Sequence, residues 1–167
     1  GLAMNRRGQS EALIRFVESQ FQSVDNLLDT HPASQGWDTG YLGPLAWAYR
    51  QRGDEATASM LIEVMGTDLA NDFEMENNWA RSVSVAQHAA LSGDDEAALA
   101  ELRRAIDSGL RSILVFDGPI FSGLAERPEY QALRAKLVAL VDRQRAAMGM
   151  APYRPLHSSK ERPTFVN

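Results

Sequence analysis

Leu45-Ala46-Trp47-Ala48-Tyr49-Arg50-Gln51-Arg52-Gly53-Asp54-Glu55-Ala56 reads as the last turns of one helix, a glycine stop and the opening of a second helix. The same grammar returns in Ala90-Leu91-Ser92-Gly93-Asp94-Asp95-Glu96-Ala97-Ala98-Leu99, where Asp94 is placed to cap the following helix and Asp95 and Glu96 complement its dipole. The first unit is spelled Leu42, Leu45, Ala46, Tyr49, Gly53, Ala58, Ile62, and the second runs in step as Ser82, Val85, Ala86, Ala89, Gly93, Ala98, Leu102. The spacing has a packing logic. Ala46, Ala58, Ala86 and Ala98 let two helices approach closely, bulky neighbours fill the gaps, and the glycine permits a tight turn between them.

Working outward from these units, helical periodicity extends to both sides. Leu13, Ile14, Val17, Phe21, Val24 and Leu28 predict one long amphipathic helix over 10–30, with Ser10 as its cap and Pro32 as its stop. Residues 1–9 read as a leader, with Gly1 ahead of Met4 suggesting a tag scar and a cut from a longer protein. Residues 33–40 form a connector, and the helix from Leu42 to Arg52 carries Pro44 in its first turn, where the missing N–H costs nothing. The next helix places Ala58, Leu61, Ile62, Met65 and Leu69 on one face and extends as far as Met75. Helices over Trp79–Leu91 and from Asp94 past Ile106 follow.

Beyond Gly109, Ile113-Leu114-Val115-Phe116 fits one helical turn better than a strand, because no second strand is available to pair with it. Asp117-Gly118-Pro119 and Arg127-Pro128 restart the chain, the latter into a final helix over 128–148 with Tyr130, Leu133, Leu137 and Val141 on one face. Residues 149–167 hold Pro152, Pro155 and Pro163 and read as an extended tail. One helical domain, 10–148, is therefore expected, with repeat units at about 40–75 and 79–109 and closing helices over 111–148.

Composition agrees with an all-α core. Ala and Leu together number 41 against 14 Val and Ile, so helix formers dominate the apolar set. The absence of cysteine excludes disulfides, thiolate metal sites and cysteine nucleophiles. A net charge of −5 argues against nucleic-acid binding, and no apolar run reaches the roughly 18 residues of a membrane span. The expected location is cytoplasmic, although lack of cysteine suits the periplasm equally.

The two units resemble tetratricopeptide repeats. The segment Phe116-Asp-Gly-Pro-Ile-Phe-Ser-Gly-Leu-Ala-Glu-Arg-Pro-Glu-Tyr-Gln-Ala-Leu is similar to the ending of such arrays in bacterial signalling proteins, where a short apolar piece and a last helix close the array. The resemblance covers about residues 40–140 and implies helix hairpins stacked as a short right-handed solenoid. Gly53 and Gly93 stand 40 residues apart, longer than the usual 34, which requires an extension after the first unit. The resemblance further implies a non-catalytic, protein-binding role as the C-terminal regulatory part of a larger bacterial protein. The partner peptide would lie in a concave groove lined by Gly43, Trp47, Arg50, Gln51, Val83, Gln87 and Leu91.

Trp47 and Arg50 are residue types that carry interface energy, although Trp47 equally fits as packing against the helix 10–30. Gly43 and Trp47 occupy the positions at which some family members hold a terminal carboxylate with Lys and Asn, so recognition of an acidic tail is not expected. Between Glu63 and Glu76 five acidic residues occur with no basic one, a run that fits a solvated face better than a basic partner's site. The tail holds Arg154, Lys160 and Arg162 against Glu161, a net +2 that leaves −7 on residues 1–148, so docking on the body through Tyr153 and Phe165 is expected. That tail, or the helix 10–30, would serve a homodimer in the alternative role of an assembly module, with the groove filled by the chain's own or a neighbour's tail. No cofactor, metal site or catalytic residue is expected: His31, His88 and His157 are scattered, and there is no phosphate-binding glycine loop or nucleophile elbow.

Overall fold

A computed structural model describes residues 2–30, 39–71 and 78–154, and among them the protein is all-helical with no strand. The helices are α1 (Leu2–Phe21), α2 (Val24–Thr30), α3 (Leu42–Arg52), α4 (Glu55–Asn71), α5 (Trp79–Ser92), α6 (Asp95–Asp107), the single turn α7 (Leu114–Asp117) and α8 (Pro128–Ala147). A 3₁₀ turn at Thr39–Tyr41 leads into α3, and a 3₁₀ segment, Pro119–Leu124, joins α7 to α8. Residues 72–75, expected to continue the helix of α4, lie outside the described residues, as do Pro32 and Phe165.

The two glycine turns are built alike. Gly53 (φ 89°) and Gly93 (φ 83°) take the left-handed conformation that glycine adopts without a side-chain clash. The N–H groups of Gly53 and Asp54 donate back to Arg50 O and Tyr49 O, and those of Gly93 and Asp94 to Ala90 O and Ala89 O, closing each helix with the same pair of bonds. The aspartates then open the next helices: Asp54 Oδ1 accepts from Thr57 N–H at 3.1 Å, and Asp94 Oδ1 from Ala97 N–H at 3.0 Å. Pairs α3–α4 and α5–α6 pack as hairpins, α1 lies against α3, and the second hairpin meets the first through α5.

The expected single helix over 10–30 is two helices. Gln22 turns to φ 66°, and Ser23 Oγ accepts from Asn26 N–H at 3.1 Å, so α2 has a cap of its own. The bend turns Val24 and Leu27 into the core beside Ile14 and Val17. Ser10 is not a cap: α1 begins at Leu2, which places Ser10 in mid-helix with its side chain buried, and residues 2–9 are helical.

Two apolar cores result. Ile14, Val17, Leu45, Leu61 and Met65 belong to the first, with Leu91 reaching in from α5; Leu99, Leu102, Ile106, Phe121, Tyr130 and Leu137 belong to the second. Ile120 packs against both. Two glycines permit the close seam between the hairpins: a methyl group on Gly43 would meet Gln87 Oε1 at 2.6 Å, and one on Gly66 would meet His88 Nε2 at 2.7 Å. Tyr130 closes the second core by donating its hydroxyl to Phe116 O at 2.6 Å; burial first, and then the charge of Asp117, pushes its phenol well above the ordinary range.

Candidate functional site

The face on which α1, α3 and α5 meet carries a cleft of about 240 Å³. Ser10 and Leu13 come from α1, Pro44, Trp47 and Ala48 from α3, and Gln87 from α5. The opposite wall is Leu114, Val115, Gly118, Pro119, Ile120 and Phe121. Helical spacing explains the first three contributions, since Leu13, Trp47 and Gln87 each project from the side of their helix next to its core stripe. Chain breaks at Asp117-Gly118-Pro119 explain the fourth: proline cannot continue α7, and the chain folds over as a 3₁₀ segment against α3 and α5.

Of the expected groove residues, the structure brings Trp47 and Gln87 together in this cleft, and separates the others from it. Val83 is buried in the second core and Leu91 in the first, so neither offers a surface to a partner. Gly43 lies buried beneath Gln87. Arg50 is committed to the body: Nη1 donates to Leu91 O at 2.8 Å and Nε lies 3.3 Å from Glu55 Oε2. Its cation therefore sits at the carbonyl end of α5, where the helix dipole favours it. Gln51 is exposed and outside the cleft.

Ser10, Leu13, Leu114, Val115 and Ile120 were not among the expected groove residues. The apolar run from Ile113 to Phe116, interrupted by Asp117-Gly118-Pro119 and resumed at Ile120 and Phe121, is the signal that points to the missing wall, because a segment too short for a core helix must lay its apolar residues on something else. Leu114 stays 64% exposed at the rim, where a large apolar side chain has no packing reason to be.

The cleft is walled mostly by apolar side chains. None of its lining residues is ionisable. Its polar side chains are Ser10 and Gln87; Oε1 of Gln87 is buried and has no hydrogen-bond partner among the described residues, an arrangement that costs about 1–3 kcal/mol until a donor reaches it. Among the described residues no group of three His, Cys, Asp or Glu side chains is placed to hold a metal, and no helix is long and apolar enough to cross a membrane. His88 lies over Gly66 in the seam, away from the cleft lining, while His31 and His157 fall outside the described residues.

Tyr153 and the acidic run of α4 lie outside the cleft lining. Tyr153 is fastened on both sides: its N–H donates to Asp142 Oδ1 at 2.6 Å and its hydroxyl to Asp117 Oδ2 at 3.2 Å, while Arg134 holds Asp117 Oδ1 at 2.8 Å. Burial and then Asp117 push the Tyr153 phenol upward. In the acidic run, Glu63 is exposed, but Asp68 is half-buried with Oδ2 lacking a hydrogen-bond partner among the described residues, and burial pushes its carboxyl upward. Asp68 therefore departs from the expected solvated face; Asp72, Glu74 and Glu76 lie outside the described residues. No protein-family model, curated protein or solved structure matches the chain.

Proposed function

We propose that the chain is a non-catalytic protein–protein interaction module made of tetratricopeptide-like hairpins, and that its cleft seats an apolar side chain of a partner's peptide segment. The cleft carries this reading: apolar walls, no ionisable group, and one buried amide oxygen without a donor. A peptide brings both complements at once, an apolar side chain for Leu13, Trp47 and Ile120 and a backbone N–H that Gln87 Oε1 accepts once its side chain turns from Gly43 to the cleft. Support for the repeat comes from the closures at Gly53-Asp54 and Gly93-Asp94, which end α3 and α5 with the same pair of bonds.

A displayed peptide library selected on the full chain tests the proposal. The selected peptides should share an apolar residue and lose at least about tenfold in affinity against Leu114→Asp, a loss of about 1.4 kcal/mol. Leu114 is exposed, so melting should not change in that variant. Peptides that bind Leu114→Asp as tightly as the parent would place the binding surface elsewhere.

A further inference from the structure

We propose that Tyr153 and Arg134 are positioning residues for the cleft: together they latch the carboxylate of Asp117, and through it they hold the wall between Leu114 and Phe121 in the place that forms the site. The inference rests on the reading of the cleft given above and adds what keeps that site formed.

The two sides of the cleft belong to different cores. Leu13 and Trp47 pack on the first core, and Val115 and Phe121 belong with the second, so the width of the cleft is the spacing between the two. The first wall is carried by the longer helices α1 and α3. The second wall is α7, with four residues, and the 3₁₀ segment after it, far less than a helix needs to hold its shape alone. Its own hydrogen bonds are short-range: Phe116 and Asp117 donate N–H to Ile113 O, and Gly118 donates to Val115 O. Its position is therefore set by what holds it from behind.

The side-chain bonds that do so come from α8 and the residues directly after it. Tyr130 donates to Phe116 O inside the second core. Arg134 donates Nε and Nη2 to Asp117 Oδ1 at 3.0 and 2.8 Å, and the Tyr153 hydroxyl donates to Asp117 Oδ2 at 3.2 Å, so both oxygens of one carboxylate are engaged. Asp117 is outside the cleft lining, but Val115 and Gly118 on either side of it are part of that lining. Tyr153 is itself aimed: Gly149 takes φ 70° after α8, Arg145 Nε donates to Ala151 O at 2.6 Å, and Asp142 Oδ1 accepts the Tyr153 N–H at 2.6 Å. An ion pair as exposed as Arg134 and Asp117 holds little alone. The Tyr153 ring packed on the second core and its bond to a charged acceptor make the latch, and burial and then Asp117 keep the proton on that hydroxyl.

Native-state amide exchange and peptide titration on the full chain test the latch. Tyr153→Phe removes one hydroxyl and leaves the ring. It should speed exchange of the Phe116, Asp117 and Gly118 amides at least about threefold, while the amides of Leu102 and Leu137, fully buried in the second core, keep the parent's rates. Loss of global stability cannot give that pattern, because it speeds core amides as well. Peptides selected on the parent should bind the variant at least about threefold more weakly. Lys136→Met, which breaks the exposed pair with Asp107 elsewhere on α8, should change neither reading. Asp117→Ala should have the larger effect on both, and adding Tyr153→Phe to it should change nothing further, since the hydroxyl has already lost its acceptor.

Unchanged exchange at 116–118 in Tyr153→Phe, an equal rise at Leu102 and Leu137, or full additivity in the double variant overturns the latch. Faster exchange at 116–118 with undiminished peptide affinity overturns the positioning role and leaves the interaction module standing. The expected exchange pattern in a chain from which no peptide can be selected supports the latch and overturns the module.

Discussion

Asp68 shows how little a residue's neighbours in sequence say about its environment. It stands in an acidic run that suits solvent, yet α4 turns it toward Tyr41, and burial pushes its carboxyl upward. A carboxyl whose folded-state pKa exceeds its unfolded value stabilises the fold below the unfolded value, near 3.9, and that contribution is lost as pH rises through the folded value. Asp68→Asn should therefore melt higher than the parent at pH 7, and the advantage should shrink as pH falls toward 4, which thermal unfolding across pH 3–8 would measure. Gly53, Gly93 and Asp94 were readable because their roles are fulfilled within a few residues of themselves. Arg50 was not, since its acceptor is the backbone carbonyl of Leu91, 41 positions away, and a backbone group leaves no trace in the residue types.

At the scale of elements, apolar periodicity located the helices and failed at their joints. Leu13 through Leu28 keep a helical rhythm straight through the break at Gln22, because both α1 and α2 turn the same stripe to the core. Ser23 marks the joint, and its hydroxyl is the cap that lets α2 start anew. Ser23→Ala should destabilise the protein by about 1 kcal/mol, seen as a lower denaturation midpoint at unchanged slope. The short turn at Leu114–Asp117 was legible as helix, but the path of Pro119–Leu124 across α3 and α5 was not. Local sequence specifies that a segment turns; which helices it covers depends on the shape left between the two hairpins. That segment decides the site, because it supplies one of the cleft's walls.

Across the whole molecule, two cores are joined along a seam of small residues and a few specific ties. Gly43 and Gly66 let α5 approach, Ile120 contacts both cores, and Arg50 links the ends of α3 and α5. Removing the last tie leaves a partly buried carbonyl unsatisfied: Arg50→Ala should cost about 1–3 kcal/mol and speed amide exchange on both sides of the seam. The ion pair with Glu55 adds little to this, since Glu55 is largely exposed. The all-helical architecture was legible from Ala and Leu usage and from the repeated Gly-Asp turn, and two of the cleft's twelve lining residues, Trp47 and Gln87, from the groove positions that the repeat resemblance implied. Val83 and Leu91 were misplaced because the covering 3₁₀ segment and the packing of α5 into the first hairpin are properties of the assembled chain.

Peptide binding by the cleft's apolar walls and the amide of Gln87, as proposed, is read by titrating a selected peptide into the isotope-labelled full chain and following the Trp47 indole N–H, the Gln87 side-chain amide and the backbone amides. The account requires the largest shifts at Leu13, Trp47, Gln87 and 114–120, with the Gln87 amide among the first to move. Shifts concentrated on the outer surfaces of α6 and α8, with Trp47 and Gln87 unmoved, would contradict it.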